Sequence, residues 1–368
     1  MAPTTMYMLK FDRCKLRARK DFSCGENDCL VSIFEATPCK IIVEFDGSAE
    51  AGRIGFCREI SHKKQVDAII DRIDKIRLKP EQDRFVCSGN EERFRSKITE
   101  QILKGDPIKF ILPAFPGKSK NNRTKTLSHK PDMAELLSLR HLEEFCYDVR
   151  DIYSEGVEFV IFGDGRLYGE ILEYGDNVIQ EYIDIFCSFI KNNQLKYEDA
   201  DSLYGNLNFD EVRQKVYKLY EVDLATVDKL IRTNENINRV YLGFLRFFQD
   251  EFATTDTFQN VSNKEKKRIL KEKARRLIRA NLTYSNMIQN IYSDYLRFSI
   301  HAHDNSEKVG ISLSDSRSSG SPWHNCAIKM KDGTWNFIKR KEAEEKNAIL
   351  RGNIGSEDID SLPYFEEV

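Results

Sequence analysis

The sequence lacks several features that would place it in a specialised class of protein. No apolar run approaches the roughly 18 residues that a membrane-spanning helix needs, so we expect no membrane partner. The segment from Met1 to Lys10 lacks the charged head and apolar stretch of a secretory signal. Glycine and proline number 19 and 9 in 368 residues, too few for a collagenous or low-complexity chain. These absences predict a globular, cytoplasmic protein.

Cysteine is present but is not arranged for disulfides or for zinc. The nine cysteines are odd in number and irregularly spaced. Zinc sites need paired short spacings such as Cys-x-x-Cys, and the nearest approach is Cys24 with Cys29. We therefore expect free thiols.

Neither sign of charge dominates the chain. It has 57 Lys or Arg against 59 Asp or Glu, a formal net charge of −2. This balance excludes a uniformly basic nucleic-acid coat, although a local patch stays possible. Residues 264–279 are such a patch, with nine Lys or Arg. A solvated helix face is the favoured interpretation, with no nucleic acid as partner, and a non-catalytic nucleic-acid-binding protein is the alternative.

The middle of the chain alternates apolar runs with amphipathic segments. Ile108 to Leu112 and Val157 to Phe162 are continuous apolar runs typical of buried strands. Each precedes a helical pattern, so we predict an α/β fold: a Rossmann-like, largely parallel sheet with helices on both faces. Residues from about 193 to 296 read as a helical insertion, and a β-rich C-terminal part follows.

The predicted organisation has three parts. Residues 1–88 form an N-terminal region of unknown role, in which 41–45 read as a strand and 66–76 as a helix. Residues 89–345 form the α/β domain, and residues 346–368 form an acidic C-terminal tail.

Polar groups follow two of the predicted strands. Lys118 to Arg123 comes after the first strand, and Gly163 to Arg166 comes after the second. Because ligands of open α/β sheets bind at the carboxyl ends of strands, the two loops are expected to face one crevice. A third polar stretch pairs His301 to Asn305 with Pro322 to Asn325. Two histidines on one strand face could bind a metal, but no complete ligand set accompanies them, so none is expected.

The run from Gly163 to Gly169 superficially matches a dinucleotide-binding loop. An NAD(P)-dependent oxidoreductase is therefore an alternative function. Asp164 would place a carboxylate against the pyrophosphate, however. A turn that presents Asp164 and Arg166 is the favoured interpretation.

Several motifs together resemble one protein family. They are Pro113-Ala-Phe-Pro-Gly-Lys-Ser119, Asn122, Pro131-Asp132, Leu136 with Arg140, Gly163-Asp-Gly-Arg166, Arg297-Phe-Ser-Ile-His301-Ala-His303, Gly310-Ile-Ser-Leu313 and Pro322-Trp-His-Asn325. This set is similar to the isocyanide (isonitrile) synthases, the pyoverdine/paerucumarin and dityrosine biosynthesis proteins. The resemblance covers residues from about 90 to 340.

The resemblance implies a reaction of secondary metabolism. The amine of an aromatic amino acid, tyrosine rather than tryptophan, becomes an isonitrile whose carbon comes from ribulose 5-phosphate. The enzyme is then a carbon–carbon lyase that needs no metal or nucleotide cofactor. A downstream iron/2-oxoglutarate oxygenase that acts on the product is the expected partner.

Roles for individual residues follow from that chemistry. Asp164 is the candidate base, Lys118 the candidate acid or phosphate-side cation, and His324 a second proton carrier. As part of a polar loop, Lys118 is expected to have little packing to lose. The candidate substrate contacts are Ser119, Asn122, Arg140, Arg166, Arg297, His301, His303, Trp323 and Asn325.

Overall fold

Two compact units make up the chain. The structure, a computed structural model, describes residues 9–11, 41–43, 51–78, 90–163, 165–190, 194–205, 207–252, 258, 260–301, 307–316 and 320–368. The smaller unit comprises residues 1–75, 91–108 and 145–157, and the larger unit comprises residues 76–90, 109–144 and 158–368.

The smaller unit contains a short antiparallel pair of strands and helical segments. Strand β1 (Leu9–Phe11) pairs antiparallel with β2 (Ile41–Val43). Helices α1 (Ala51–Ile76) and α2 (Asn90–Lys104) follow. The apolar spacing that predicts a helix over 66–76 is confirmed, because its members lie on the buried face of α1. They are Val66, Ile69, Ile70, Ile73 and Ile76.

A five-stranded sheet forms the framework of the larger unit. Its strands are β3 (Ile108–Pro113), β4 (Val157–Phe162), β5 (Leu195–Glu198), β6 (Leu296–Ser299) and β7 (Lys308–Gly310), in the order β5-β4-β3-β6-β7. The pairs β4–β5, β3–β6 and β6–β7 are parallel. The chain runs from β3 to one side of the sheet and then places β6 on the other side of β3. The strand order therefore reverses between β3 and β6.

Helices occupy the connections between these strands. They are α3 (Met133–Ile152), α4 (Gly165–Leu172), α5 (Asp176–Phe189), α6 (Ala200–Tyr204), α7 (Phe209–Tyr220), α8 (Leu224–Thr233), α9 (Glu235–Phe252) and α10 (Asn263–Ile291). On one face of the sheet, Ile111, Val160 and Phe162 belong to a core that includes buried residues of α4, α5, α7, α9 and α10. On the opposite face, Phe110 stacks on Phe298 with ring centroids 4.9 Å apart.

A second, mixed sheet lies in the C-terminal part. It contains β8 (Cys326–Lys329), β9 (Trp335–Ile338), β10 (Ile349–Arg351) and β11 (Tyr364–Glu366), in the order β10-β11-β8-β9, with helix α11 (Arg340–Glu345) between β9 and β10. Strand β11 is parallel to β8 and antiparallel to β10. Residues 346–368 therefore contribute two strands to this sheet, and their Leu362 and Phe365 are buried.

The α/β prediction is confirmed: a parallel sheet flanked by helices is followed by a mixed β sheet. Among the described helices, none combines the length and the apolar composition needed to cross a bilayer.

Candidate active site

The loop after β3 turns sharply where the strand order reverses. Phe115 has a φ of 59°, a left-handed conformation that costs a residue with a side chain about 1–3 kcal/mol. Its ring is buried and packs 4.5 Å from Phe186 and 5.2 Å from Trp323, centroid to centroid. This packing offsets the strain and turns the following residues inward. Open α/β sheets bind ligands at such a reversal, outside the carboxyl ends of their strands.

Lys118 is buried in an ion-paired cluster. Its Nζ lies 2.6 Å from Oε2 of Glu135 and 2.8 Å from Oδ1 of Asp132, and its side chain is 0% exposed. Asp132 accepts a hydrogen bond from the Ala134 amide, while Glu135 accepts one from the Asp132 amide. The two carboxylates thus close the start of α3 as a capping box does. The expectation that Lys118 has little to lose is therefore wrong.

The charges of this cluster do not cancel. Burial opposes the charge on Lys118, but Asp132 and Glu135 outweigh it and raise the pKa of the ammonium. Burial, helped by the charge of Asp132, raises the pKa of Glu135 to about 7 despite the contact with Lys118. Two carboxylates share one cation here, so Glu135 is the group in this cluster that can take up a proton near neutral pH.

A second buried carboxylate, Glu251, holds the next residues of the loop. It lies at the end of α9, next to the buried Phe252 in the sequence, and it is 2% exposed. Its Oε1 accepts hydrogen bonds from the Ser119 hydroxyl at 2.5 Å and from the Lys120 amide at 2.9 Å. Its Oε2 lies 2.8 Å from Lys125 Nζ. Burial alone would raise the pKa of Glu251, but Lys125, His324 and the hydrogen bonds outweigh it and lower the pKa.

Trp323 and His324 reach the same place from a 3₁₀ turn before β8. The Trp323 carbonyl accepts a hydrogen bond of 2.8 Å from the Ser119 amide. His324 lies 5.3 Å from the ring of Phe247, centroid to centroid. Its Nδ1 is buried and has no hydrogen-bond partner among the described residues. Burial, partly opposed by Glu251, lowers the pKa of His324 to about 4, so the imidazole is neutral at pH 7.

The structure thus brings Lys118, Ser119, Trp323 and His324 together. His301 is near enough for its charge to lower the pKa of His324. Asp164 and His303 lie outside the described residues, and their candidacy stays a prediction.

Three other candidates have surroundings of a different kind. Asn122 is exposed, and its carbonyl accepts a hydrogen bond from Arg340. Arg140 is exposed on α3. Asn325 donates through its side chain to the Ser321 carbonyl at 2.8 Å and so fastens the 3₁₀ turn. Nothing in these contacts points to a ligand.

The surroundings of Arg166 differ from the exposed turn that the sequence predicts. The predicted turn is instead the start of helix α4, because Gly165 is already helical. The guanidinium of Arg166 is buried, 3.2 Å from Asp199 and 2.6 Å from Asp201. Its charge is matched inside the protein, which favours a structural role.

The glycines of this loop are explained by contacts with the protein itself. A Cβ on Gly163 would lie 2.1 Å from the Tyr197 hydroxyl, and one on Gly165 would lie 2.5 Å from the Pro116 carbonyl. Protein atoms fill the positions that a dinucleotide fingerprint keeps clear for pyrophosphate. The geometry therefore disfavours the alternative function, an NAD(P)-dependent oxidoreductase.

The basic stretch 264–279 lies in α10, and several of its cations are paired. Lys273 contacts Glu173 at 2.9 Å, Arg275 contacts Asp228 at 2.5 Å, and Arg276 contacts Glu170 at 2.6 Å. Paired cations contribute little to phosphate binding, so the arrangement supports the solvated-face interpretation over nucleic-acid binding.

One group of potential metal ligands occurs in the part of the chain that the structure describes. His141, Glu144 and Asp315 place ligand atoms within 4.8 Å of one another, with both carboxylates exposed. None of the predicted site residues belongs to it.

Glu135, Lys125 and Glu251 were not among the site residues predicted from the sequence. Glu251 stands 132 positions from Ser119, inside an ordinary amphipathic helix. For Glu135 a signal existed, because an acid three residues after Asp132 is the pattern of a helix-capping box.

Comparisons with known proteins find similar sequences over most of this region. A model of the pyoverdine/dityrosine biosynthesis protein family matches residues 98–350. An L-tryptophan isonitrile synthase of Fischerella ambigua is 31% identical over 261 residues, covering 69% of this chain and 77% of that protein. An L-tyrosine isonitrile synthase of Pseudomonas aeruginosa is 29% identical over 263 residues, covering 69% and 79% respectively.

A solved structure extends the likeness to the fold. The crystal structure of PvcA from Pseudomonas aeruginosa matches with a TM-score of 0.71 at 25% identity, covering 82% of this chain and 99% of that one. The family match spans more than half of the sequence and includes the loop after β3, α9 and the 3₁₀ turn that carries His324. The chain therefore belongs to the isocyanide synthase family of pyoverdine/dityrosine biosynthesis proteins.

Proposed function

We propose that this chain is an isonitrile synthase of the carbon–carbon lyase type. It converts the amine of an aromatic L-amino acid, tyrosine in preference to tryptophan, and takes the isonitrile carbon from ribulose 5-phosphate. The observation that carries the proposal is the meeting of Ser119, Glu251 and His324 at the strand-order reversal, beside the buried Lys118 cluster. Relatives whose names specify each of the two amino acids support the substrate class.

The reaction requires several proton transfers. The amine must lose a proton to attack the ketone, the adduct must lose water, and carbon–carbon cleavage needs a base. Each positioned acid or base contributes typically 10²- to 10⁴-fold. Asp164 is the proposed base for the amine. His324, neutral at pH 7, is proposed to accept and return a proton at the oxygen of the adduct.

Lys118 takes a positioning role in this proposal. A side chain that is 0% exposed and bound to two carboxylates does not touch a substrate. It instead holds the loop that presents Ser119. Glu251 acts in the same way, because Ser119, Lys120 and Lys125 already occupy both of its oxygens.

Phe247 is the proposed aromatic wall of the site. Its ring is half-buried and lies beside His324. The ammonium of Lys125 lies over the same ring, 4.9 Å from its centroid. Trp323 is less suited to this task because it is buried against Phe115.

The isonitrile group is reactive, and an iron/2-oxoglutarate oxygenase is the proposed enzyme that consumes it.

The test uses ribulose 5-phosphate labelled with ¹³C at the ketone carbon. Incubation with tyrosine, and separately with tryptophan, should give an isonitrile one mass unit heavier than the unlabelled product, with more product from tyrosine. Label at C-1 is the matched control and should not reach the isonitrile. Absence of any isonitrile from both amino acids overturns the proposal.

His324→Gln tests the site itself. Turnover should fall by roughly 10²-fold or more, as for the loss of a positioned proton carrier. His129→Gln is the control, because His129 is exposed and contacts only the surface residue Glu181 among the described residues. Equal turnover by both variants would remove His324 from the reaction.

A further inference from the structure

Two cations stand next to each other on one face of the main sheet. Arg297 of β6 and Lys308 of β7 are register partners in a parallel pair. Register partners project from the same face, so their side chains are neighbours. Phe298, one residue on, points to the opposite face and stacks on Phe110.

Arg297 has few partners for a half-buried arginine. Its Nη1 donates to the Ser285 hydroxyl of α10 at 2.9 Å. Its Nε is buried without a hydrogen-bond partner, and no carboxylate of the described residues forms an ion pair with it. Buried charges are ordinarily paired, because removing them from water is costly.

The pair also carries an excess of positive charge. Burial and, after it, the charge of the neighbouring Arg297 lower the pKa of Lys308 to about 8, while Glu307 opposes the shift. Burial likewise lowers the pKa of Arg297, against the influence of Tyr284 and Glu307. The buried Nε of Arg297 is therefore a donor that an anion from outside could satisfy, with the charge of Lys308 beside it.

We propose that Arg297, Lys308 and the Ser285 hydroxyl form a binding site for the dianion of a phosphate monoester. This inference rests on the proposed function, in which ribulose 5-phosphate supplies such a group. A guanidinium offers two parallel N–H donors to phosphate oxygens, and an ammonium adds a point charge. The doubly charged phosphate matches two adjacent cations better than the single charge of an amino-acid carboxylate.

The experiment measures binding without turnover. Isothermal titration with ribulose 5-phosphate, and separately with tyrosine, compares wild type with Arg297→Met, which keeps most of the aliphatic stem. The affinity for ribulose 5-phosphate should fall roughly 10- to 100-fold, the loss expected for charge-assisted hydrogen bonds, and inorganic phosphate should compete in wild type. The affinity for tyrosine should not change.

Arg351→Met is the matched control. Arg351 is also on a strand, but it pairs with Glu366 at 2.7 Å on the second sheet, and its loss should leave both affinities unchanged. Lys308→Met provides a second variant if Arg297→Met does not fold, with the same expected loss. Unchanged affinity for the sugar phosphate, or weakened binding of tyrosine instead, overturns the proposal.

The proposed phosphate site and the proposed function can be disproved independently of each other. If wild type makes no isonitrile but phosphate binding still depends on Arg297, the function is wrong and the site stands. If Arg297→Met makes isonitrile with an unchanged KM for ribulose 5-phosphate, the site is wrong and the function stands.

Discussion

The Lys118 cluster and the Arg297–Lys308 pair are two buried charge arrangements with opposite balances. In the first, one cation contacts two carboxylates at 2.6 and 2.8 Å. In the second, two cations on neighbouring strands share the influence of one carboxylate, Glu307. In the first the cation is bound by carboxylates of the protein, whereas in the second the buried Nε of Arg297 has no hydrogen-bond partner among the described residues.

This difference separates a structural role from a binding role. Removing the cation of the first arrangement leaves two buried carboxylates facing each other. Removing Arg297 relieves its repulsion with Lys308, and no carboxylate of the described residues loses an ion pair with Arg297. Stability should therefore depend on Lys118, and ligand affinity should depend on Arg297.

The largest expected effect is that of Lys118→Met on stability. Breaking a buried ion pair by removal of one partner costs about 3–5 kcal/mol. Urea unfolding should show this loss, and the loss should be smaller when Glu135→Gln is also present. Lys130→Met is the control, because Lys130 pairs at the surface with Glu181 and Glu357 and such pairs contribute about 0–1 kcal/mol. If the two lysine variants unfold alike, the cluster does not stabilise the fold.

Asp164→Asn should lower turnover and leave stability nearly unchanged. The carboxylates of Asp132 and Glu135 are buried beneath the loop, so a base that touches the substrate must come from elsewhere. We expect turnover to fall by at least about 10²-fold, with the melting temperature nearly unchanged. Near-normal turnover of the folded variant would move the base to His301 or His324.

Added phosphate should stabilise wild type and not Arg297→Met. A ligand at a hundredfold excess over its Kd raises the free energy of unfolding by about 2.7 kcal/mol. Thermal unfolding in phosphate, against sodium chloride of equal ionic strength, measures the difference. The same shift in both proteins would show that the anion binds elsewhere.

The first cluster should also give stability a dependence on pH. The pKa of Glu135 is raised from its ordinary value of 4.5 to about 7, so the folded state holds this proton more tightly than the unfolded state. The resulting stabilisation is complete below about pH 4.5 and is lost as the pH rises through about 7. Glu135→Gln should remove this part of the slope. An identical profile in both proteins would contradict the assignment.

The smallest expected effect is that of a metal chelator on turnover, which should be none. The site contains the imidazole of His324, but both oxygens of the nearby Glu251 are already bound by Ser119, Lys120 and Lys125, so the described residues offer no complete set of metal ligands there. Loss of activity in chelator, with recovery on adding iron or zinc, would contradict this and would direct attention to His141, Glu144 and Asp315.

The local sequence pattern was sufficient to predict the two central strands of the main sheet. Strands β3 and β4 are continuous apolar runs, so both are found where the sequence predicts them. Strand β5 was missed because its four residues, Leu195–Glu198, mix charge with apolar side chains and only Leu195 is buried. Its position is set by pairing with β4, which the sequence does not display.

The candidate site was predictable only in part, because contacts between residues distant in the sequence also decide its arrangement. The rule that polar loops meet at strand ends paired the loop of Lys118 with that of Arg166 and did not predict the position of His324, which lies in a 3₁₀ turn before β8. The same rule misjudged Lys118 and Arg166, because their acidic partners decide whether a cation faces a ligand or the protein. Asp199 and Asp201 lie more than thirty positions from Arg166 and complete its ion pairs.

The position of β11 has a consequence for the order of folding. This strand lies between β8 and β10, although β8 and β9 are made first and can pair as a local hairpin. During synthesis on a ribosome, β8 therefore lacks its second neighbour until residues 364–366 emerge. The 3₁₀ turn that carries His324 leads directly into β8. A nascent chain should consequently complete its second sheet, and fix His324 in place, only after residues 364–366 have emerged.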